Sequence, residues 1–350
     1  MAVRLKDVAA RAGVSIKTAS NVINDYPHIR PLTRAKVQAA IDELHYRPNL
    51  SARGLKHGKA GFLALALPQL DEPYFAELAA IVSARAAELG YILLLDATEG
   101  RDEAERLVLE GMRSHVIDGV IFSPLALSAK HIAARRDELP MVLLGERAVP
   151  SGYDHVAVDS VASAAAMTSH LLGLGRRRVA AIGRESAQGT ASVRLRGYQK
   201  ALRQAGVAYR PELVIGVPSY TREDGRRGMQ QLLALPEPPD AVFCFNDLMA
   251  IGAMRACHDQ GVSIPDDIAV AGFDDIAETR YSNPTVTTIS PDLDLLSREV
   301  LRLVISRIEG RTVAESVKVP WTLQVRESTV GRQVAGTPAA ERLVAVSSDR

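Results

Sequence analysis

Apolar residues fall at helical spacing through the first sixty positions and then, from Gly61 on, gather into short continuous runs separated by amphipathic stretches. Leu5, Val8, Ala9 and Ala12 share one face of a first helix. Gly13 ends it, because glycine takes the left-handed backbone conformation at little cost. Ser15 is the expected N-cap of a second helix over about 16–24. There Ala19, Val22 and Ile23 face inward, while Lys17, Ser20, Asn21 and Asn24 face outward. A third helix is expected after Thr33, with Val37, Ala40, Ile41 and Leu44 as its apolar stripe. The short turn between the first two helices and the polar outer face of the second are the layout of a helix-turn-helix. A plain three-helix bundle with solvated polar residues is the competing reading.

The second texture predicts strands at 62–67, 92–95, 119–122 and 141–144, with helices at 74–89 and 102–113 among them. After about Asp159 the alternation restarts: helix 160–172, strand 178–182, helix 191–205, strand 212–217, helix 222–234, strand 241–245, helix 247–260 and strand 268–272. Apolar strands alternating with helices mean parallel sheets covered on both faces. Two such series predict two doubly wound lobes. Ligands in this architecture bind outside the carboxyl ends of the strands, here in the cleft between lobes. The residues at those ends are Asp71, Tyr74 and Phe75, then Glu146 and Arg147, then Asn246 and Asp247, then Phe273, Asp274 and Asp275. Arg194 opens a helix on the same side. Rings that stack on apolar faces and charged groups that bond hydroxyls in pairs suit a sugar or nucleoside. Each also has a plainer reading: Asn246 and Asp274 as helix caps, Tyr74 as core, Arg194 as a surface ion pair.

Composition narrows the classes. A chain of 350 residues with 47% hydrophobic content has room for two or three domains. No apolar run is long enough for a membrane span, and the N-terminus lacks the apolar segment of a signal peptide. Two cysteines, Cys244 and Cys257, form no disulfide framework or metal motif, which fits a reducing cytoplasm. The net charge of +1 conceals an asymmetry: residues 1–60 hold 11 Lys and Arg against 4 Asp and Glu, and the remainder 31 against 37. The N-terminal module therefore attracts a polyanion and the rest does not. Phosphate-binding, dinucleotide and nucleophile-elbow motifs are missing, so no enzyme, cofactor or metal site is expected. Gly173-Leu174-Gly175 reads as the end of a helix.

The runs Leu5-Lys6-Asp7-Val8-Ala9, Ala12-Gly13-Val14-Ser15, Thr18-Ala19-Ser20-Asn21-Val22-Ile23-Asn24, Thr33-Arg34-Ala35-Lys36-Val37 and Tyr46-Arg47-Pro48-Asn49 resemble the lactose-repressor (LacI) family of bacterial transcription regulators. The resemblance continues to about residue 330. It implies a helix-turn-helix head, 1–48, on a core like the periplasmic binding proteins. It also implies that Ile16, Lys17 and Asn21 read bases and that His28 touches DNA beyond the helix. Thr18, Ser20, Asn24 and Thr33 would hold phosphates, and Lys6 and Asn49 complete the DNA-facing set. Many members carry Arg where this chain has Asn21. Asn pairs with adenine and Arg with guanine, so the half-site is expected to differ there.

Residues 49–60 look like the family's hinge helix, which folds when two copies pair over the minor groove. Leu55 matches the leucine wedged between base pairs, Ala52 the small contact between hinges, and Gly54 weakens the helix off DNA. In the core, the resemblance places Phe75, Arg194, Asp247 and Asp274 in the effector pocket, with Tyr220 as a stacking aromatic. Pro291 stands where members with a sugar pocket often carry Gln. The core, 61–330, would comprise one lobe of about 61–160 and 292–322 and another of about 161–291 and 323–330. The tail 331–350 lacks the leucine heptads of tetrameric members and is expected to be disordered, leaving a homodimer. The function implied is a cytoplasmic regulator, a repressor by the family's usual mode, controlled by a sugar or related metabolite. The alternative is a transporter's solute-binding protein on the same fold, which would have a secretion signal and no basic head.

Overall fold

The structure, a computed structural model, describes residues 3–23, 26–46, 60–111, 116–147, 149–184 and 189–332. The chain divides into two compact units, Met1–Gly61 and Phe62–Arg350.

The first unit holds α1 (Leu5–Ala12), α2 (Ile16–Ile23) and α3 (Pro31–Glu43). Gly13 caps α1 at φ 64°, its N–H reaching the carbonyls of Ala9 and Ala10. Ser15 Oγ accepts the Thr18 N–H at 3.0 Å and starts α2. Six small side chains, Val8, Ala9, Ala19, Val22, Val37 and Ala40, form the buried core. Two expectations are corrected. α3 begins before Thr33, because Pro31 at its first position fixes a helical φ and lacks only an N–H the helix would leave unbonded. Ser20 does not face outward; it is buried beside Ala19, on the flank of α2 that packs inward.

The second unit runs β1 (Phe62–Leu67), α4 (Pro73–Glu88), β2 (Ile92–Ala97), α5 (Asp102–Leu109), β3 (Gly119–Phe122), α6 (Ala129–Ala133), β4 (Met141–Leu144) and β5 (Asp154–Val158). It continues with α7 (Ser160–Gly173), β6 (Val179–Arg184), α8 (Thr190–Gln204), β7 (Val214–Val217), α9 (Arg222–Leu233), β8 (Ala241–Cys244), α10 (Asp247–Asp259) and β9 (Ala269–Ala271). It closes with β10 (Thr288–Pro291), α11 (Leu293–Ile308), β11 (Ser316–Val319), β12 (Trp321–Gln324) and α12 (Glu327–Val330). One sheet has the order β11-β5-β4-β3-β1-β2, a second β7-β6-β8-β9, and β10-β12 form a two-stranded ribbon. Every pair in the two larger sheets is parallel. Their inner strands are largely apolar and buried, as helices on both faces require, whereas the edge strands β2, β7 and β11 are partly exposed.

The second sheet differs from expectation at 212–213, where Pro211–Leu213 form a 3-10 turn before β7. Proline, lacking an N–H, does not continue a ladder there. The chain then returns from the second sheet's side to the first. α11 packs on α4, β3, β4 and β5, and β11 pairs with β5 before β12 doubles back onto β10. The two lobes are thus joined by three crossings, after β5, β10 and β11. The carboxyl ends of β1, β3 and β4 face those of β8 and β9 across a single cleft.

Candidate functional site

On the head, Lys6, Ile16, Lys17 and His28 are exposed, while Thr18, Asn21 and Thr33 are half-buried. Ile16 is 55% exposed, unusual for a large apolar side chain beside the cationic Lys17. An apolar group next to polar ones suits base edges, where thymine presents a methyl. Thr18 Oγ1 lies 2.9 Å from Ser15 Oγ, so the turn fixes its rotamer. Tyr26 and His28 meet edge to face at 5.7 Å. Asn24, Asn49, Ala52 and Leu55 lie outside the described residues.

In the second unit, turns after strand ends converge on a cavity of about 100 Å³. Of the twelve residues singled out for it, Tyr74, Phe75, Glu146, Arg194, Tyr220, Asn246, Phe273 and Asp274 line it, and Asp71, Arg147, Asp247 and Asp275 do not. Pro73 starts α4 and delivers Tyr74 and Phe75 on its first turn, their rings edge to face at 5.2 Å. Gly145, at φ 110°, makes the turn after β4 that brings Glu146 inward.

Arg194 is the centre. Its side chain is 7% exposed. Nη2 lies 2.9 Å from Glu146 Oε1 and 3.5 Å from Asp274 Oδ1. Nη1 donates to the Phe245 carbonyl, and the guanidinium stacks 3.5 Å above the Phe273 ring. Glu146 comes from the first lobe and Arg194 from the second, so the ion pair crosses the cleft. Asn246 makes a second crossing. Its Oδ1 accepts the Met249 N–H and caps α10, while Nδ2 donates to Glu72 Oε1 at 3.1 Å and to the Tyr220 carbonyl at 3.0 Å. Asn246 thus caps α10 and lines the cavity at once. Arg194 is an ion pair, but a buried one.

Burial decides the electrostatics. It pushes the Asp274 carboxyl well above the usual range, with Arg194 offsetting only part. The Glu72 carboxyl also rises through burial, against the hydrogen bond from Asn246. The Tyr74 hydroxyl is raised by burial and then by the neighbouring Asp274 and Glu146. Burial alone would lower Arg194, but Glu146 and Asp274 outweigh it and hold the guanidinium charged. Asp274 also sits at φ 113°, a strained backbone position for a non-glycine residue.

Asp247 is corrected from pocket wall to support. Fully buried, its Oδ1 accepts the Thr288 hydroxyl at 2.7 Å and its Oδ2 the Ile276 N–H at 3.0 Å. Side chains alternate around the start of α10, so when Asn246 faces the cleft its neighbour faces the core. Burial pushes the Asp247 carboxyl up to about 8, against those two bonds.

Gln69, Glu72, Ser123, Leu125 and Thr190 also line the cavity and escaped the sequence reading. Glu72 falls between the flagged Asp71 and Tyr74, and Ser123 directly follows β3, so the strand-end rule could have found both. Glu105 carried no such signal. Fully buried on α5, its two oxygens accept the N–H groups of Leu125, Ala126 and Leu127 at 2.6–3.0 Å and fix the wall that Leu125 presents.

A two-lobed binding core and a helix-turn-helix head on one chain define a ligand-responsive, DNA-binding regulator. Residues 4–49 match the bacterial regulatory proteins of the lacI family, and residues 168–329 match the periplasmic binding protein-like domain. The chain belongs to the lacI family of transcriptional regulators. It is 31% identical over 331 residues to the transcriptional repressor CytR of Escherichia coli K12, covering 94% of this chain and 96% of that one. It is 33% identical to the repressor PurR of Erwinia tasmaniensis, covering 93% and 96%. Among solved structures, a lac repressor dimer bound to operator and the anti-inducer ONPF aligns at TM-score 0.84 and 26% identity, covering 95% of this chain and all of that one. A CelR–cellobiose complex aligns at TM-score 0.68 and 29% identity, covering 93% and 99%. These matches are to DNA-binding regulators and lend no support to the transporter reading. No helix among the described residues is long and apolar enough to cross a membrane.

Proposed function

We propose that this regulator is a homodimeric repressor that works in the cytoplasm, and that a sugar or related metabolite in the cleft sets its operator affinity. The carrying observation is the pair of polar contacts across the cleft, Glu146 to Arg194 and Glu72 to Asn246, around a cavity of about 100 Å³. One water needs only about 10–15 Å³. A ligand that touches both sides changes the angle between lobes, and it acts on DNA only so far as it binds two states unequally, by about 1–3 kcal/mol. Tyr74, Phe75, Tyr220 and Phe273 supply ring faces, and Glu146, Arg194, Asn246 and Asp274 supply hydrogen bonds. CelR, solved with cellobiose, supports a sugar.

The head, 1–48, would read DNA through Ile16, Lys17 and Asn21, with residues 49–60 as the hinge and Leu55 its wedge. A homodimer is supported by edge strand β2, where Ile92 and Leu95 are each about half exposed. An uncovered apolar edge is an association surface. Repression is supported by the relatives CytR and PurR. The test selects operator sites from random DNA with full-length protein, then adds sugars and nucleosides singly. The expected result is a pseudo-palindromic site and one compound class that shifts affinity at least fivefold. Sequence-specific binding retained after deleting residues 1–60 would sink the DNA assignment.

A further inference from the structure

Three carboxyl groups and one guanidinium face the cavity: Glu72, Glu146 and Asp274 against Arg194. No other Lys, Arg or His is among the described residues that line it. Arg194 is already committed to Glu146, Asp274 and the Phe245 carbonyl. Arg147, next to Glu146 in the chain, donates to the Leu125 carbonyl. Of the helix ends nearby, that of α10 is filled by Asn246. The start of α8 at Thr190 offers about half an elementary charge, less than one carboxylate. Even leaving Asp274 aside, two carboxyl groups face one guanidinium.

Two buried atoms of the residues lining the cavity have no hydrogen-bond partner among the described residues: the acceptor Glu146 Oε2 and the donor Arg194 Nε. A ligand hydroxyl satisfies both kinds, donating to the carboxylate and accepting from the guanidinium. A phosphate dianion only accepts, and the group carries about −1.5 to −2 charge at pH 7. Buried like charges repel strongly at low dielectric.

We infer that the cleft takes an uncharged ring compound rich in hydrogen-bond donors and rejects the phosphate ester of the same compound. This rests on the cleft being the effector site. The test is titration calorimetry of full-length protein with matched pairs: ribose and ribose 5-phosphate, glucose and glucose 6-phosphate, cytidine and cytidine 5′-monophosphate, adenosine and adenosine 5′-monophosphate. At least one neutral member is expected to bind, its ester at least 100-fold more weakly, and the gap is expected to narrow about tenfold in Glu72→Gln. An ester that binds as well as its neutral partner overturns the inference. So does a gap unchanged in Glu72→Gln, or a panel in which no neutral member binds. Operator release separates the two claims. An ester that releases DNA sinks the charge rule and leaves the effector site standing. A neutral compound that binds without altering DNA affinity sinks the effector reading alone.

Discussion

The head and the cleft hold their chemistry in opposite ways. The head displays Ile16 and Lys17 on the outside of a bundle whose core is six small side chains. The cleft buries Arg194, Asn246 and Asp274, each engaged by protein partners before any ligand arrives. Substitution at the head face should therefore change recognition and leave stability alone. Substitution in the cleft should change both, because a buried charge left unpaired destabilises more than its pair stabilised.

Arg194→Ala is the strongest way to break that contrast. It strands Glu146 and Asp274 without a counter-charge and removes the cation over Phe273. The expected loss is about 3–5 kcal/mol of unfolding free energy, read by urea denaturation, together with loss of effector response. A loss under 1 kcal/mol would mean that the cleft carboxyls are already neutral and the network is not coupled.

Asp247 gives the next effect, through pH. Its folded-state pKa of about 8 lies above the roughly 3.9 of an unfolded aspartate. Between those values the folded chain holds a proton that the unfolded chain has lost, so this group's stabilisation falls as pH rises through the window. Asp247→Asn removes the titration while keeping one donor and one acceptor for Ile276 and Thr288. The stability difference, variant minus wild type, is expected to rise by on the order of 3–4 kcal/mol from pH 5 to 8. Taking the difference cancels groups that do not interact with residue 247, including His155 and His170, whose pKa values burial lowers. A flat difference would show that the two hydrogen bonds hold a carboxylate throughout.

Glu105→Gln tests the wall behind the cleft. Glutamine replaces one acceptor oxygen with a donor against the N–H groups of Ala126 and Leu127. The expected cost is about 1–3 kcal/mol, with effector affinity weakened through displaced Leu125 and operator affinity in the absence of effector unchanged. Equal loss of both affinities would make Glu105 a general prop.

The two regions were also legible to different depths. Strands such as Phe62–Leu67 are single apolar runs, and their position fixed where ligand-facing turns must fall. That rule reached Glu146, Asn246 and Asp274 without any knowledge of tertiary contacts. It could not separate Asn246 from Asp247, since both follow the same strand and only the start of α10 turns one to the cleft and the other to the core. Nor could it reach Glu105, whose partners are backbone N–H groups twenty residues away. β5, β10 and β12 went unread because polar residues such as Asp154, Ser290 and Thr322 interrupt them. α11 went unread because the strand–helix alternation had already ended at β9. On the head, the turn chemistry of Gly13 and Ser15 was enough to place α2, but the facing of Ser20 depended on packing that periodicity does not resolve.

The smallest effect on stability, and the sharpest on recognition, belongs to Asn21. It is half-buried on α2, and no described hydrogen bond of the fold depends on its side-chain amide. Asn21→Arg should leave unfolding free energy within about 0.5 kcal/mol of wild type. Asparagine matches adenine through two hydrogen bonds, whereas arginine matches guanine. The selected DNA profile should therefore change from adenine to guanine at one symmetric pair of positions, worth about 1–3 kcal/mol of discrimination each. Lys6→Ala serves as the control, because Lys6 is exposed on α1 and is given no base-reading role: that variant should weaken binding to all sequences alike and reduce the salt dependence, without changing the profile. A profile unchanged in Asn21→Arg would place residue 21 on the backbone, and base reading would fall to Ile16 and Lys17.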